Sequence, residues 1–377
     1  MSIGFLPALL LLGQQGQGPF AFEHFHGVLE VEGAFATLTQ RHPRYFRVGS
    51  LGTSVRGRSI PFLEVTDHES SGPKRAFWVD GGNHGNELAG AEIVLGFAEE
   101  LRRRIALDEP PGFLGELEVY LVPALNVDAR ELCIVPPFPG LRANLQPVDD
   151  DGDGRADEDG PVDLNGDDYA SLQESRDQDG DGRCGEDPLG GVDLNRDFPV
   201  HRVERAAGWC PQPETLAVLH FWEAHPNLAL AVSYHGGSVV SMTSELFVWP
   251  PVALADGDVA RFEAVLGIYR RLCTGSEWNP AREPDKYGSH SPLVGTAMEW
   301  FYAERKALAF TLEVEPGFRD AWTAGPEESV AQECAGFVRV PRVSLETRQR
   351  SITSTLAPLA ARHATFLLAL AEHLSEE

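Results

Sequence analysis

Four short apolar runs, at residues 76–80, 117–125, 228–234 and 307–312, each stop abruptly at polar residues, and helical periodicity fills much of the chain between them. Buried strands alternating with amphipathic helices leave few folds open. They predict an α/β architecture with a mixed, mostly parallel central sheet and helices on both faces. The first run shows the pattern most clearly. AFWVD ends in Gly81-Gly82, and from Leu88 the residues Leu88, Ala91, Val94, Leu95, Ala98 and Leu101 recur at helical spacing toward Arg102, Arg103 and Arg104. His84 and Glu87 lie in the turn between strand and helix. An imidazole and a carboxylate three residues apart can converge on one centre, and that pair suits Zn²⁺.

His-x-x-Glu alone is a weak signal, since the chain holds it four times: His84/Glu87, His201/Glu204, His220/Glu223 and His373/Glu376. The last three read as polar pairs on solvated faces. His84/Glu87 alone falls after a core strand, where open α/β sheets collect their functional groups. The same argument singles out His235, one residue beyond the third run, and Glu313, one beyond the fourth. Two histidines and a carboxylate with an open fourth position form the ligand set of a catalytic zinc site, and a further glutamate nearby can take a proton from water.

Around these runs the pattern predicts a first helix at 23–40, a hairpin at 46–65, and helices at 216–223, 260–272 and 352–374. Residues 3–12 form an apolar segment too short to span a bilayer and similar to the core of a secretory signal, so residues 1–18 are read as a signal peptide and 19–377 as a single catalytic domain. The protein is accordingly expected to be secreted or periplasmic, with no membrane span. Five cysteines form no C-x-x-C pair, which argues against a cysteine zinc site and leaves any disulfide pairing open.

Residues of about 144–190 break the periodicity. They carry three acidic strings: Asp149-x-Asp151-x-Asp153, Asp163-x-Asn165-x-Asp167 and Asp177-x-Asp179-x-Asp181. Alternating oxygen side chains, followed by Gly154 and Gly182 in the outer two strings, resemble loop-type Ca²⁺ repeats, with a solvated acidic loop as the competing reading. None has a glutamate at the twelfth position. The net charge of −26, much of it concentrated here, excludes a nucleic-acid partner.

Taken together, GGNHGNE (81–87), GVDLNRDFP (191–199), YHGG (234–237) and AFTLE (309–313) resemble the motifs of the zinc metallocarboxypeptidases, in that family's order. The resemblance implies that His84, Glu87 and His235 hold Zn²⁺, with Asp193 behind one histidine. It implies that Asn195 and Arg196 grip the terminal carboxylate of a peptide substrate with a free C-terminus. A guanidinium fork suits that task, binding a carboxylate bidentately. Glu313 matches the catalytic glutamate, with Glu315 its rival. Arg142 matches the arginine that polarises the scissile carbonyl, with Arg130 as the alternative. Where the family has a substrate-capping tyrosine this chain has Ser291, so Tyr287 is the nearest replacement. Met298 matches the base of the side-chain pocket. The implied activity is removal of C-terminal residues from peptides. Two other readings stay open at this point: a zinc deacylase of N-acyl amino acids on the same scaffold, and a calcium-stabilised, non-catalytic surface or binding protein.

Overall fold

The computed structural model describes residues 18–135, 140–168, 170, 174–200, 209–236, 245–273, 275–283, 293–314, 327–334, 336–342 and 345–377. Most of the signal-like segment, together with Tyr287, Ser291, Glu315 and the His201/Glu204 pair, lies outside them.

Eight strands form the central sheet: β1 (Phe46–Thr53), β2 (Ser59–Val65), β3 (Arg75–Gly81), β4 (Leu117–Val122), β5 (Leu228–Gly236), β6 (Glu245–Val248), β7 (Gly275–Trp278) and β8 (Leu308–Val314). Their order is β1-β2-β4-β3-β5-β8-β6-β7. The β4, β3, β5 and β8 pairings are parallel, while β1 and β2 join one edge antiparallel and β6 meets β8 antiparallel. The four central strands are the four apolar runs of the sequence. Each is almost wholly buried because both faces of the sheet are covered.

The alternation of β3 shows how. Phe77 packs on Phe97 of α2 (Leu88–Ala106), while its neighbour Trp78 packs on Phe221 and Trp222 of α4 (Pro213–Ala224) and on Phe301 of α6 (Ala297–Ala303). Helices therefore lie on both faces. The terminal helix α7 (Leu345–Glu376) lies against α2 so closely that a Cβ on Gly96 would sit 2.8 Å from that of Ala360.

Several elements differ from the periodicity reading. α1 runs Val28–Arg41 instead of starting near residue 23, because Gly27 caps it and its N–H donates to Glu30 Oε2 at 3.3 Å. One helix and four strands were not expected: α3 (Val127–Ile134), the short strands β6 and β7, and a separate hairpin of β9 (Glu327–Gln332) and β10 (Gly336–Pro341). α5 (Asp258–Leu272) and α7 match their predictions, α7 beginning earlier than residue 352.

The Asp-rich insertion leaves the domain after α3 and returns before a 3-10 turn at Leu194–Arg196. It is tied to the β9–β10 hairpin by a Cys184–Cys334 disulfide, the pairing the sequence left open, and by Gln332 Nε2 donating to Ser175 O and Oγ, both at 3.0 Å. Cys133, Cys210 and Cys273 are free thiols. No helix among the described residues is long and apolar enough to cross a membrane.

Candidate active site

The turn that carries His84 and Glu87 is held from below by Asp80, the buried last side chain of β3. Its carboxylate accepts from Trp78 Nε1 at 2.6 Å, Asn83 Nδ2 at 2.7 Å and Ser233 Oγ of β5 at 2.8 Å. Burial lifts its pKa to about 6 although these donors pull the other way. Gly82 takes φ +59°, a conformation that favours glycine, and Gly81 lies where a Cβ would come within 2.7 Å of the Gly90 backbone. Glycines at these points let α2 start directly above the strand ends, with Glu87 at its N-cap.

At that point the side chains converge. His84 Nδ1 lies 2.9 Å from Glu87 Oε1, and His235 Nδ1 lies 2.8 Å from Glu87 Oε2 and 3.1 Å from His84 Nδ1. The ligand atoms of His84, Glu87 and His235 all fall within 4.8 Å of one another, and all three residues are buried. His84 Nε2 turns away to Asp193 Oδ1 at 3.0 Å, leaving Nδ1 aimed inward. Asn195 Nδ2 approaches His235 Nε2 at 3.4 Å.

Glu313 reaches the same place through sheet register. It pairs with His235 across the parallel β5–β8 ladder, so the two side chains emerge side by side on one face. Its Oε2 is buried and meets no donor among the described residues.

Arg142 also arrives here. Its carbonyl accepts from Gly85 N at 3.2 Å and Asn126 Nδ2 at 3.3 Å, and its guanidinium reaches Asp193 Oδ2 (3.0 Å) and Glu87 Oε1 (3.3 Å). Arg130 points elsewhere, donating to Leu88 O, His26 O and the Glu92 carboxylate within the core. Arg196 Nη1 donates to Asn195 O at 2.8 Å. Asn195 Oδ1 accepts from Ala297 N at 3.0 Å, joining the 3-10 turn to α6, where Met298 is the next residue and is buried. His220 and Glu223 are exposed on α4, as a solvated pair should be.

Charge is distributed unevenly in this cluster of side chains. Burial works against an ionised Glu87, yet His84 and His235 hold its carboxyl well below the usual range. Burial likewise opposes a charged His84, but Glu87 and Asp193 outweigh it and raise the ring to about 9. Asp193 is lowered against its own desolvation by His84, Arg142 and Arg196. Glu313 moves the other way: burial and then the Glu87 carboxylate push it up. Carboxyl groups whose environments drive them apart are the pattern of an acid–base site.

Sequence reasoning missed the Asp80 network and the N-terminal cap of α6. The latter was readable from Thr296-x-x-Glu299: Thr296 Oγ1 accepts from Glu299 N at 3.1 Å, and Glu299 Oε2 accepts from Gly295 N, one residue before the cap, at 3.0 Å.

Comparison with known proteins gives a consistent result. A family pattern described as zinc carboxypeptidase matches residues 31–327. Carboxypeptidase D of Homo sapiens is 26% identical over 222 residues, which is 58% of this chain and 13% of that protein. The carboxypeptidase N catalytic chain of Mus musculus is 26% identical over 262 residues, 63% of this chain and 47% of that protein. The chain thus spans less than half the length of these relatives. In fold it is similar to bovine thrombin-activatable fibrinolysis inhibitor, crystallised with tick carboxypeptidase inhibitor, at a TM-score of 0.56 and 17% identity over 93% of this chain and 99% of that one. With the family pattern running from α1 to the first residue of β9, this chain belongs to the zinc carboxypeptidase family.

Proposed function

We propose that this protein removes the C-terminal residue from peptides by zinc-dependent hydrolysis. The observation that carries the reading is the convergence of the His84, Glu87 and His235 ligand atoms within 4.8 Å of one another, beside a Glu313 oxygen that has no donor among the described residues. Two inward-facing Nδ1 atoms and one carboxylate suit Zn²⁺, and Asp193 behind His84 would fix the ring's tautomer and orientation. Zn²⁺ held there would supply a Lewis acid for the scissile carbonyl and lower the pKa of water.

The chain's own residues supply the rest. Glu313 accepts the proton of the attacking water at its buried carboxylate and passes it to the leaving amine. Arg142 turns its guanidinium toward the carbonyl oxygen as negative charge develops there. Asn195 and Arg196 hold the substrate's terminal carboxylate, which sets the last peptide bond over the site and restricts cleavage to chain ends. The N–H of Ala297 fixes the Asn195 amide so that Nδ2 is the group left to donate.

Amidating the C-terminus of a peptide removes the charge that Arg196 is assigned to bind. Steady-state kinetics on matched free and amidated peptides should show kcat/KM lower by roughly 10- to 100-fold for the amide, from the loss of charge-assisted hydrogen bonds. Equal rates would rule out action at chain ends. Assaying N-acyl-aspartate alongside separates a peptidase from a deacylase.

The pocket base assigned to Met298 is apolar and offers no carboxylate to a basic side chain. Peptides differing only in the final residue should therefore favour Leu or Phe over Lys or Arg by roughly tenfold or more. A preference for basic residues would remove Met298 from that role.

We also infer export to an oxidising compartment, supported by the Cys184–Cys334 disulfide and the signal-like residues 3–12.

A further inference from the structure

The Asp-rich insertion contains a turn built three times, at Asp149, Asp163 and Asp177. In the first of the outer two copies Asp149 accepts from Gly152 N at 2.6 Å and Gly154 N at 3.0 Å, and Asp151 accepts from Asp153 N. In the second of them, Asp177 accepts from Gly180 N and Gly182 N at the same distances, and Asp179 accepts from Asp181 N. Turns of this kind form without any ligand. The informative feature is the acidic pair that follows each outer copy at the same offset, Glu158-Asp159 after the first and Glu186-Asp187 after the second.

The aspartate of each pair is exchanged between the outer copies. Asp187, from the second, is fully buried and gathers with Asp149 and Asp151 of the first, their ligand atoms within 4.8 Å. One Asp187 oxygen takes the Asp150 N–H at 3.3 Å, and the other, Oδ2, meets no donor. Asp159, from the first, is buried within the second copy, accepting from Gln178 N at 2.9 Å and Gly185 N at 3.2 Å. Glu158 lies beside Asp187 and Glu186 beside Asp159 and Asp181, and both oxygens of each glutamate are inaccessible and meet no donor among the described residues. Asp151 closes the arrangement by gathering also with Asp179 and Asp181 within 4.8 Å.

The inaccessible oxygens of Asp187, Glu158 and Glu186, set beside the exposed carboxylates of Asp149, Asp151 and Asp181, are stable only if protons or cations separate them. Every candidate ligand is oxygen and none is nitrogen or sulfur, which selects a hard cation. The crowding of flexible carboxylates favours Ca²⁺, with its roughly 6–8 oxygen ligands, over the stricter octahedron of Mg²⁺.

We propose that the insertion binds two Ca²⁺ ions side by side, one held by Asp149, Asp151, Glu158 and Asp187, the other by Asp179, Asp181 and Glu186, with Asp151 between them. The middle string (Asp163, Asn165, Asp167) has Leu172-Gln173 where the outer copies have Glu-Asp, and no ion is assigned to it. The ions take the place of the apolar core that this segment lacks. The proposal does not depend on hydrolytic activity.

The test is a count of Ca²⁺ on the zinc-loaded, full-length protein, by equilibrium dialysis and elemental analysis with Mg²⁺ as the control cation. Two ions per chain should bind with Kd at or below about 1 mM, and Ca²⁺ should raise Tm by roughly 5 °C. Asp187→Asn and Glu186→Gln, each checked for native circular dichroism, should each lower the count. No bound Ca²⁺ on the wild-type protein at about 1 mM free ion overturns the proposal. An unchanged count in both variants overturns the ligand assignment, and if neither variant folds the wild-type count alone decides.

Discussion

Replacing Glu313 by Gln should lower kcat by roughly 10²–10⁴-fold while leaving bound zinc and KM close to wild type, the range expected for removing a positioned proton acceptor. The substitution keeps the shape of the side chain and removes its basicity. Glu313 is not among the three converging ligand groups, so the metal should stay, and elemental analysis of the variant checks this. Its register partner is His235, so the polypeptide ladder, more than side-chain contacts, holds Glu313 in place. That is why the folded state should hardly register the change. Loss of zinc together with activity would mean that Glu313 is a ligand. Retention of full turnover would shift the proton transfer to Glu315.

The second large effect lies away from that cluster of side chains. Glu92 of α2 is fully buried and bonds Arg130 Nη2 at 2.6 Å and His26 Nδ1 at 2.6 Å, while its Oε1 also takes the His26 N–H at 2.9 Å. Arg130 in turn donates to His26 O at 3.1 Å and to Leu88 O at 3.2 Å, next to Glu87. Glu92→Ala would strand a guanidinium in the core and should cost about 3–5 kcal/mol of unfolding free energy. Replacing both partners, as in Glu92→Leu with Arg130→Met, should restore most of that loss, because the penalty comes from the orphaned charge. Denaturant unfolding of the two single variants and the double variant checks it. A Glu92→Ala loss below about 1 kcal/mol would show that water reaches Arg130.

How much of this was legible in the sequence follows from what kind of signal each residue left. His84, His235 and Glu313 stood out because parallel core strands are long apolar runs, and the residue that ends such a run is easy to see. Arg142 was harder, since it sits at the edge of the aperiodic segment and Arg130 lies nearer to Asn126. The fold solves the problem through the Arg142 carbonyl, which Gly85 and Asn126 both bind. The strands β6 and β7 have four residues each, too few for a period to emerge. The exchange of Asp159 and Asp187 between loops and the pairing of Cys184 with Cys334 depend on distant chain segments meeting, which no local pattern encodes. Arg130 illustrates the opposite failure: it reads as the alternative to Arg142, yet it is buried against Glu92, Leu88 and His26.

The bond between Cys184 and Cys334 has a topological consequence. It closes a covalent ring that includes Asp193, Asn195, Arg196, His235, Met298 and Glu313, whereas His84, Glu87 and Arg142 stay outside. A peptidase that clips the backbone once anywhere within that ring therefore produces two pieces that migrate as one on a gel without reductant. Such a nicked molecule keeps the segment bearing His84 and Glu87 tethered to the segment bearing His235 and Glu313, so it can lose a peptide bond without falling apart.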